Sequence, residues 1–109
     1  MTTHSYQVDL LVNEVDSVTG AGYRWVGGNG LLVVDASISP TGVVGFQYRT
    51  GPSATFLDYS VIDPATGAVN KVVIDKNCAF NFNLPPCEIR ATTDANVTGA
   101  FVRAIRIPD

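Results

Sequence analysis

Residues 78–92, CAFNFNLPPCEIRAT, alternate apolar and polar side chains up to two prolines and then start a second β-rich run. The apolar residues at even positions from Cys78 to Leu84 share one face, and Asn81 and Asn83 lie on the other. Successive side chains of a β-strand point to opposite faces, so this alternation predicts a strand with one buried face. The segment favours an all-β protein.

The same organisation extends in both directions from this strand. Glycine and proline recur roughly every eight to twelve residues, the spacing typical of a β-sandwich or barrel. Asp63-Pro64-Ala65-Thr66-Gly67 is a strong turn signal. Predicted strands cover residues 6–13, 23–26, 31–38, 43–49, 56–62, 69–75, 78–84, 88–92 and 100–107. We expect one domain over residues 1–109, an antiparallel two-sheet sandwich (jelly-roll-like) or small barrel of about eight strands, with a flexible segment at residues 1–5.

The stretch Trp25–Val34, WVGGNGLLVV, contains a glycine cluster that resembles a phosphate-binding loop only in composition. Such loops precede a helix, whose N-terminal amides hold the anion, and here a β-rich aliphatic run follows. Residues 27–30 are therefore predicted to form a turn in which positive φ angles cost little.

The aliphatic run after this turn is apolar on both faces, whereas a sandwich strand needs only one buried face. Only 16% of the residues are charged, and a charge-poor surface suits protein contact. We predict that several apolar residues line an oligomer or docking interface; the alternative is that all of them are internal. The candidate interface residues are Tyr23, Trp25, Leu31, Leu32, Val33, Val34, Pro85 and Pro86.

Charge and hydropathy bear on the partners that the chain can have. The net charge of −3 and the scattered basic residues argue against nucleic-acid binding. No apolar stretch approaches the roughly 18 residues of a membrane span. The N-terminal residues lack the basic and apolar regions of a signal peptide. We therefore expect neither nucleic acid nor a membrane as a partner.

The two cysteines, Cys78 and Cys87, flank the prolines. If Pro85 and Pro86 turn the chain between two paired strands, Cys87 lies near Leu84 and far from Cys78, which makes a disulfide between them doubtful. Two free thiols are typical of a protein made in a reducing cytosol.

Residues that carry catalytic or metal chemistry are sparse. His4 is the single histidine, near the N-terminus, and no pattern pairs it with a nucleophile. Cys78, Cys87 and His4 do not have the spacing of a zinc site. The acidic residues occur singly, and Asp63 to Gly67 lacks the alternating oxygen ligands of a calcium loop. We predict no catalytic, metal or cofactor site and a protein that is not an enzyme.

Several short motifs lie along the chain, at Thr19–Gly22, Trp25 with Gly27–Gly30, Phe46–Tyr48, Phe80–Ala91, Thr98–Phe101 and Arg103–Pro108. Together these motifs resemble those of a group of short all-β structural proteins of tailed bacteriophages. They cover most of the chain, although Cys87 stands where that group has glycine, and residues 51–56 match only loosely.

This resemblance implies a virion component, made in the host cytoplasm and carried on the capsid surface as a decoration or cement protein. Its partner would be the major capsid protein or another virion protein, in a multi-copy or homo-oligomeric assembly. Alternatives are a head-fibre, tail or baseplate component, or a receptor- or glycan-binding module using Tyr48, Tyr59 and Trp25.

Overall fold

A computed structural model describes residues 7–14, 17–39 and 41–107 of the chain. Within these residues the fold is all-β, as the sequence predicts. The predicted flexible segment at residues 1–5, which includes His4, lies outside them, as does Tyr6, the first residue of the first predicted strand. The strands are β1 Gln7–Glu14, β2 Val18–Thr19, β3 Tyr23–Trp25, β4 Gly28–Ile38, β5 Val44–Arg49, β6 Leu57–Asp58, β7 Ser60–Ile62, β8 Val69–Lys71, β9 Cys78–Leu84, β10 Cys87–Thr93 and β11 Val97–Arg106.

The strands form antiparallel sheets of four, five and two strands. The four-stranded sheet has the order β1-β11-β4-β9, and the five-stranded sheet has the order β2-β10-β5-β6, with β3 also paired to β10. β2 and β3 contact successive parts of β10, at Thr92–Thr93 and at residues 87–89. Strands β7 and β8 pair with each other.

One hydrophobic core gathers side chains from the four- and five-stranded sheets, as expected of a sandwich. In β4, Leu32 and Val34 are buried and Leu31 and Val33 are half-buried, so the period of two sends alternate residues to the core. The largest fully buried side chains are Trp25, Leu32, Ile89, Val34, Val44, Val97 and Val102.

The strand predicted over residues 78–84 is confirmed, with Phe82 and Leu84 buried and Asn81 and Asn83 exposed. Pro85 and Pro86 do not turn the chain between two paired strands, the condition under which the disulfide was considered. β9 pairs with β4 in one sheet and β10 with β5 in the other, so Pro85 and Pro86 carry the chain between sheets. Cys78 and Cys87 are free thiols on these two strands.

Strand β1 departs from the simple alternation expected over residues 6–13. Its register against β11 shifts on both sides of Leu11, and Asn13 has a φ of 52°. Leu11 therefore turns into the core, and Val12, which alternation places inward, is 58% exposed.

The glycine cluster forms a shorter turn than predicted. Gly27 and Gly28 have φ angles of 96° and 99°, the conformation that glycine adopts at little cost. Asn29 and Gly30 already belong to β4. A Cβ on Gly30 would lie 2.5 Å from Cζ of Phe82, so this glycine serves close packing, and the prediction of a turn there is wrong.

Two predicted strands are divided in the structure. Residues 56–62 form β6, which pairs with β5, and β7, which pairs with β8, with a break at Tyr59. The segment 69–75 contains only β8, followed by an isolated bridge from Ile74 to Val44. Only β7 and β8 lie outside the two larger sheets, while Tyr59 between β6 and β7 packs against the rings of Phe46 and Phe82.

Candidate functional site

The structure divides the predicted interface residues into three groups, and the first is buried. Trp25 and Leu32 are 0% exposed and Val34 is 2% exposed. These three residues form part of the core between the sheets, because β3 and β4 direct them inward. Their assignment to an interface is wrong, since a partner of the folded chain cannot reach them.

The second group, Leu31 and Val33, lies on the outer face of the four-stranded sheet. Cross-strand pairing places Leu31 opposite Ile105 and Val33 opposite Arg103. Directly opposed residues of antiparallel strands share a face, so Ile105 and Arg103 also point outward. We call the side chains of Val12, Leu31, Val33, Phe101 and Ile105 the apolar face.

The apolar face surrounds a shallow depression of about 430 Å³, whose lining includes Val12, Val33, Phe101 and Ile105. Val12 is 58% and Phe101 46% exposed, while Leu31, Val33 and Ile105 are half-buried. Contiguous exposed apolar groups with polar residues around them mark interaction surfaces more often than isolated ones do.

Charges on the apolar face are few and close to balance. Arg103 Nε donates a hydrogen bond of 2.7 Å to Asp9 Oδ1, and both side chains are about half exposed. Asp35 accepts a 3.4 Å hydrogen bond from Asn77 Nδ2. A solvated ion pair of this kind contributes little to folding, but it gives a docked partner a polar contact of fixed direction.

The outer face of the five-stranded sheet has the opposite character. Arg49 Nε donates to Glu88 Oε2 at 2.5 Å, and Arg90 Nε donates to Gln47 Oε1 at 2.7 Å. Both guanidinium groups also lie over the Phe56 ring, at 4.7 Å for Arg49 and 3.9 Å for Arg90. These charged groups have hydrogen-bond or cation–π partners within the chain, and among the described residues this face exposes no cluster of apolar side chains like that of the apolar face.

The third group of predicted residues lies elsewhere. Tyr23 is 40% exposed at the start of β3, and Pro85 and Pro86 are exposed where the chain crosses between sheets. Pro86 lines a separate depression with Arg24 and Pro52 that includes no residue of the apolar face. The predicted interface residues therefore do not form one surface.

Sequence reasoning missed Val12, Phe101 and Ile105. Phe101, Arg103 and Ile105 alternate with buried Val102 and Ala104 along β11, so a period-of-two signal was present in the sequence. The sequence contains no such signal for Val12, because the irregular register of β1 turns the Val12 side chain to the face opposite the one that alternation predicts.

The aromatic residues named for a glycan site are part of the interior or packed against it. Trp25 is buried, and Tyr48 and Tyr59 are partly buried against the core. The Tyr59 ring lies 5.5 Å from that of Phe46 and 6.2 Å from that of Phe82. None of the three presents a fully exposed ring to a sugar.

Within residues 7–14, 17–39 and 41–107, no three His, Cys, Asp or Glu side chains lie close enough together to hold a metal ion. The same residues include no helix with the length and hydropathy needed to cross a membrane.

Comparison of the chain with protein-family models, with curated proteins and with solved structures gave no significant match.

Proposed function

We propose that this chain is a structural protein of a tailed-phage virion, a decoration or cement protein that docks on the assembled capsid. The resemblance of its short motifs to small phage structural proteins supports the class of assembly. The observation that carries the docking role is the contrast between the two outer faces, one apolar and the other polar and internally satisfied. On this proposal the chain binds other proteins and catalyses no reaction.

The position of the apolar face determines how the chain would be oriented on the capsid shell. Val12, Phe101 and Ile105 would contact the shell, and the Arg49–Phe56–Arg90 face would point to solvent. Specific docking buries roughly 1,000–2,000 Å² in total, so the apolar face would supply the apolar centre of the contact and the polar residues around it would supply the rim.

The chain would stabilise the capsid if it binds the assembled shell and not the free capsid subunits. A protein that binds only the assembled shell stabilises it by mass action, by about 2.7 kcal/mol per site at a free concentration 100 times the dissociation constant. The partner would be the major capsid protein, whose surface repeats many times, so small contributions add over the particle.

Co-sedimentation with empty heads of the encoding phage tests this proposal. We expect the wild-type chain to pellet with heads and to raise the temperature at which they break open. Phe101→Asp places a charge in the centre of the apolar face and should abolish both effects.

Val26→Asp is the matched control, because Val26 is also 46% exposed but lies before the Gly27 turn, outside the apolar face. It should bind like wild type. If Val26→Asp abolishes binding and Phe101→Asp does not, the docking surface is at the Tyr23 and Pro86 end. Binding to tails instead of heads, or to a glycan array, would contradict the decoration role.

A further inference from the structure

Strand β9 forms one edge of the four-stranded sheet. Among the described strands it pairs only with β4, in an unbroken register that runs from Gly28 opposite Leu84 to Val34 opposite Cys78. In an antiparallel ladder the N–H and C=O of one residue point to the same side of the strand, and successive residues alternate between sides. About half of the β9 backbone groups therefore point away from β4.

Two hydrogen bonds of β4 identify which residues bond to which side. Asn29 O accepts a hydrogen bond from Ile107 N at 2.9 Å, on the β11 side of the strand. Ala36 N donates to Asn77 Oδ1 at 2.7 Å, on the β9 side. The odd-numbered residues of β4 therefore bond toward β11, and the even-numbered residues bond toward β9.

The outward groups of β9 follow from this alternation. Its even-numbered residues lie opposite the even-numbered residues of β4 and complete the ladder, so the N–H and C=O groups of Ala79, Asn81 and Asn83 point to the free edge. No hydrogen bond from residues 7–14, 17–39 or 41–107 reaches these backbone groups. An open groove of about 740 Å³ lies between Asn83 and the β7–β8 hairpin, so this hairpin does not close the edge.

Strand β9 lacks the features that protect edge strands from further pairing. Such edges usually carry charged side chains, proline or β-bulges. Strand β1, at the opposite edge of the sheet, has Asp9, Glu14 and two register shifts against β11. Residues 78–84, CAFNFNL, contain no charged residue and no proline, and their register with β4 does not shift. Of the two edges of this sheet, β9 is therefore the one suited to accept another strand.

The sequence of β9 favours a second copy of the same strand as the occupant. It is close to symmetrical about Asn81, with Phe80 and Phe82 on either side and Ala79 and Asn83 beyond them. Two antiparallel β9 strands centred on Asn81 place residue 79 opposite residue 83 and Asn81 opposite itself. The outward backbone groups of the two strands then coincide, and no like charges meet.

We propose that two copies of the chain associate by antiparallel pairing of their β9 strands about a twofold axis at Asn81. Ala79, Asn81 and Asn83 of one copy lie opposite Asn83, Asn81 and Ala79 of the other, and each of these pairs exchanges both backbone hydrogen bonds. The contact is closed and isologous. The two four-stranded sheets join into one continuous sheet.

The seam between the copies also covers an aromatic side chain. Phe80 is only half-buried in the single chain, where its ring lies 6.4 Å from that of Tyr59. In the dimer Phe80 lies opposite Phe82 of the second copy in a non-hydrogen-bonded pair, whose Cα atoms are about 4.5 Å apart. Aromatic pairs at such positions stabilise antiparallel sheets, so the aromatic cluster would continue across the seam.

The dimer would also present the apolar face twice. The twofold axis is perpendicular to the joined sheet, so the outer faces of both copies point to the same side. Two linked copies of a docking surface bind a repeating surface more tightly than one copy does. Dimerisation itself uses a different surface and does not depend on the capsid proposal.

Sedimentation velocity of the purified full chain over roughly 1–500 μM tests the association. We expect a reversible monomer–dimer equilibrium. Asn81→Lys changes an exposed side chain and places two ammonium groups at the axis, so it should raise the dissociation constant of the dimer at least about tenfold. Gln7→Lys is the matched control, because it adds the same charge at an exposed residue of the opposite edge strand, and the dimer should persist.

Amide hydrogen exchange of the wild-type chain tests the register without any substitution. The N–H groups of Ala79, Asn81 and Asn83 should exchange several-fold more slowly as the concentration rises and the dimer forms. The N–H groups of Phe80 and Phe82 bond to β4 in both states, so their exchange should change less. This pattern of alternate residues is specific to pairing at the β9 edge.

A chain that remains monomeric throughout this concentration range overturns the proposal. A dimer that survives Asn81→Lys but is lost with Gln7→Lys would assign the contact to β1 instead, and growth beyond dimers would indicate head-to-tail pairing. A dimer without added protection at Ala79, Asn81 and Asn83 would use another surface. Each of these results contradicts the twofold pairing. Capsid co-sedimentation is measured separately, with Phe101→Asp, so failure of one proposal leaves the other testable.

Discussion

The indole ring of Trp25 and the phenyl ring of Phe82 lie 5.0 Å apart between centroids, one from each sheet of the sandwich. Gly30 lies against this pair, and its missing side chain lets both rings approach the β4 backbone. Phe82 also contacts Phe46, at 5.0 Å between centroids in an edge-on arrangement. The contact joins β3, β4, β5 and β9 across the core, so we expect it to control stability.

Gly30→Ala should destabilise the fold by about 1–3 kcal/mol, the cost of overpacking a filled core. Its Cβ would lie 2.5 Å from Phe82 Cζ and 2.8 Å from Trp25 Cη2. Urea unfolding followed by tryptophan fluorescence measures the change. Gly51→Ala is the control, because nothing lies within 4 Å of that position, and it should stay within about 0.5 kcal/mol of wild type. Equal effects of the two substitutions would contradict this account.

Phe82→Ala and Phe101→Ala should separate folding from docking. Phe82 is 3% exposed, so its truncation should cost about 3–5 kcal/mol and reduce docking only through unfolding. Phe101 is 46% exposed, so its truncation should cost under about 1 kcal/mol yet weaken capsid binding. Thermal unfolding and co-sedimentation of the same two variants provide the measurements. A strongly destabilised Phe101→Ala would place this ring in the core.

The Phe56 ring should stabilise the polar outer face through its two guanidinium contacts. Phe56→Leu keeps apolar volume but removes the ring face beneath Arg49 and Arg90, and we expect a loss of about 1 kcal/mol. Phe56→Tyr keeps the ring and should lose less. Differential scanning calorimetry compares the variants. A Phe56→Leu protein as stable as Phe56→Tyr would show that only apolar packing matters there.

Burial raises the pKa of both thiols, and the Asp75 charge raises that of Cys78 further while Lys76 lowers it. The thiolate is the reactive form, so alkylation by iodoacetamide should be slower than for a free thiol at neutral pH and should accelerate as the pH rises. Cys78 is the more accessible and should react before Cys87. Mass spectrometry of the modified chain distinguishes the two sites.

The same pKa shifts set the sign of a stability change with pH. Folding favours the neutral thiol, so its stabilising contribution is complete below the ordinary thiol pKa and is lost as the pH rises through the raised value. The free energy of unfolding should therefore fall as the pH rises above the ordinary thiol pKa, and Cys87→Ala should reduce that fall. A slope unchanged by Cys87→Ala would assign the loss to other groups.

Local features of the sequence were enough to predict the fold class and several elements. The alternation from Cys78 to Leu84 predicted β9 and its buried face, and the residues from Asp63 to Gly67 predicted the turn between β7 and β8. Both features depend on interactions between residues near in sequence: strand side chains alternate with a period of two, and proline and glycine restrict or free the backbone locally.

The tertiary structure decided which apolar side chains remain available to a partner. Leu31 and Leu32 are identical in chemistry, but one lies on the outer face and the other in the core, because the second sheet covers only one side of β4. The register of β1 against β11 turned Val12 outward, and the strand predicted over residues 56–62 divided at Tyr59 into β6, paired with β5, and β7, paired with β8. Burial depends on contacts between strands distant in sequence, so a strand's own residues do not specify which of two apolar faces is covered.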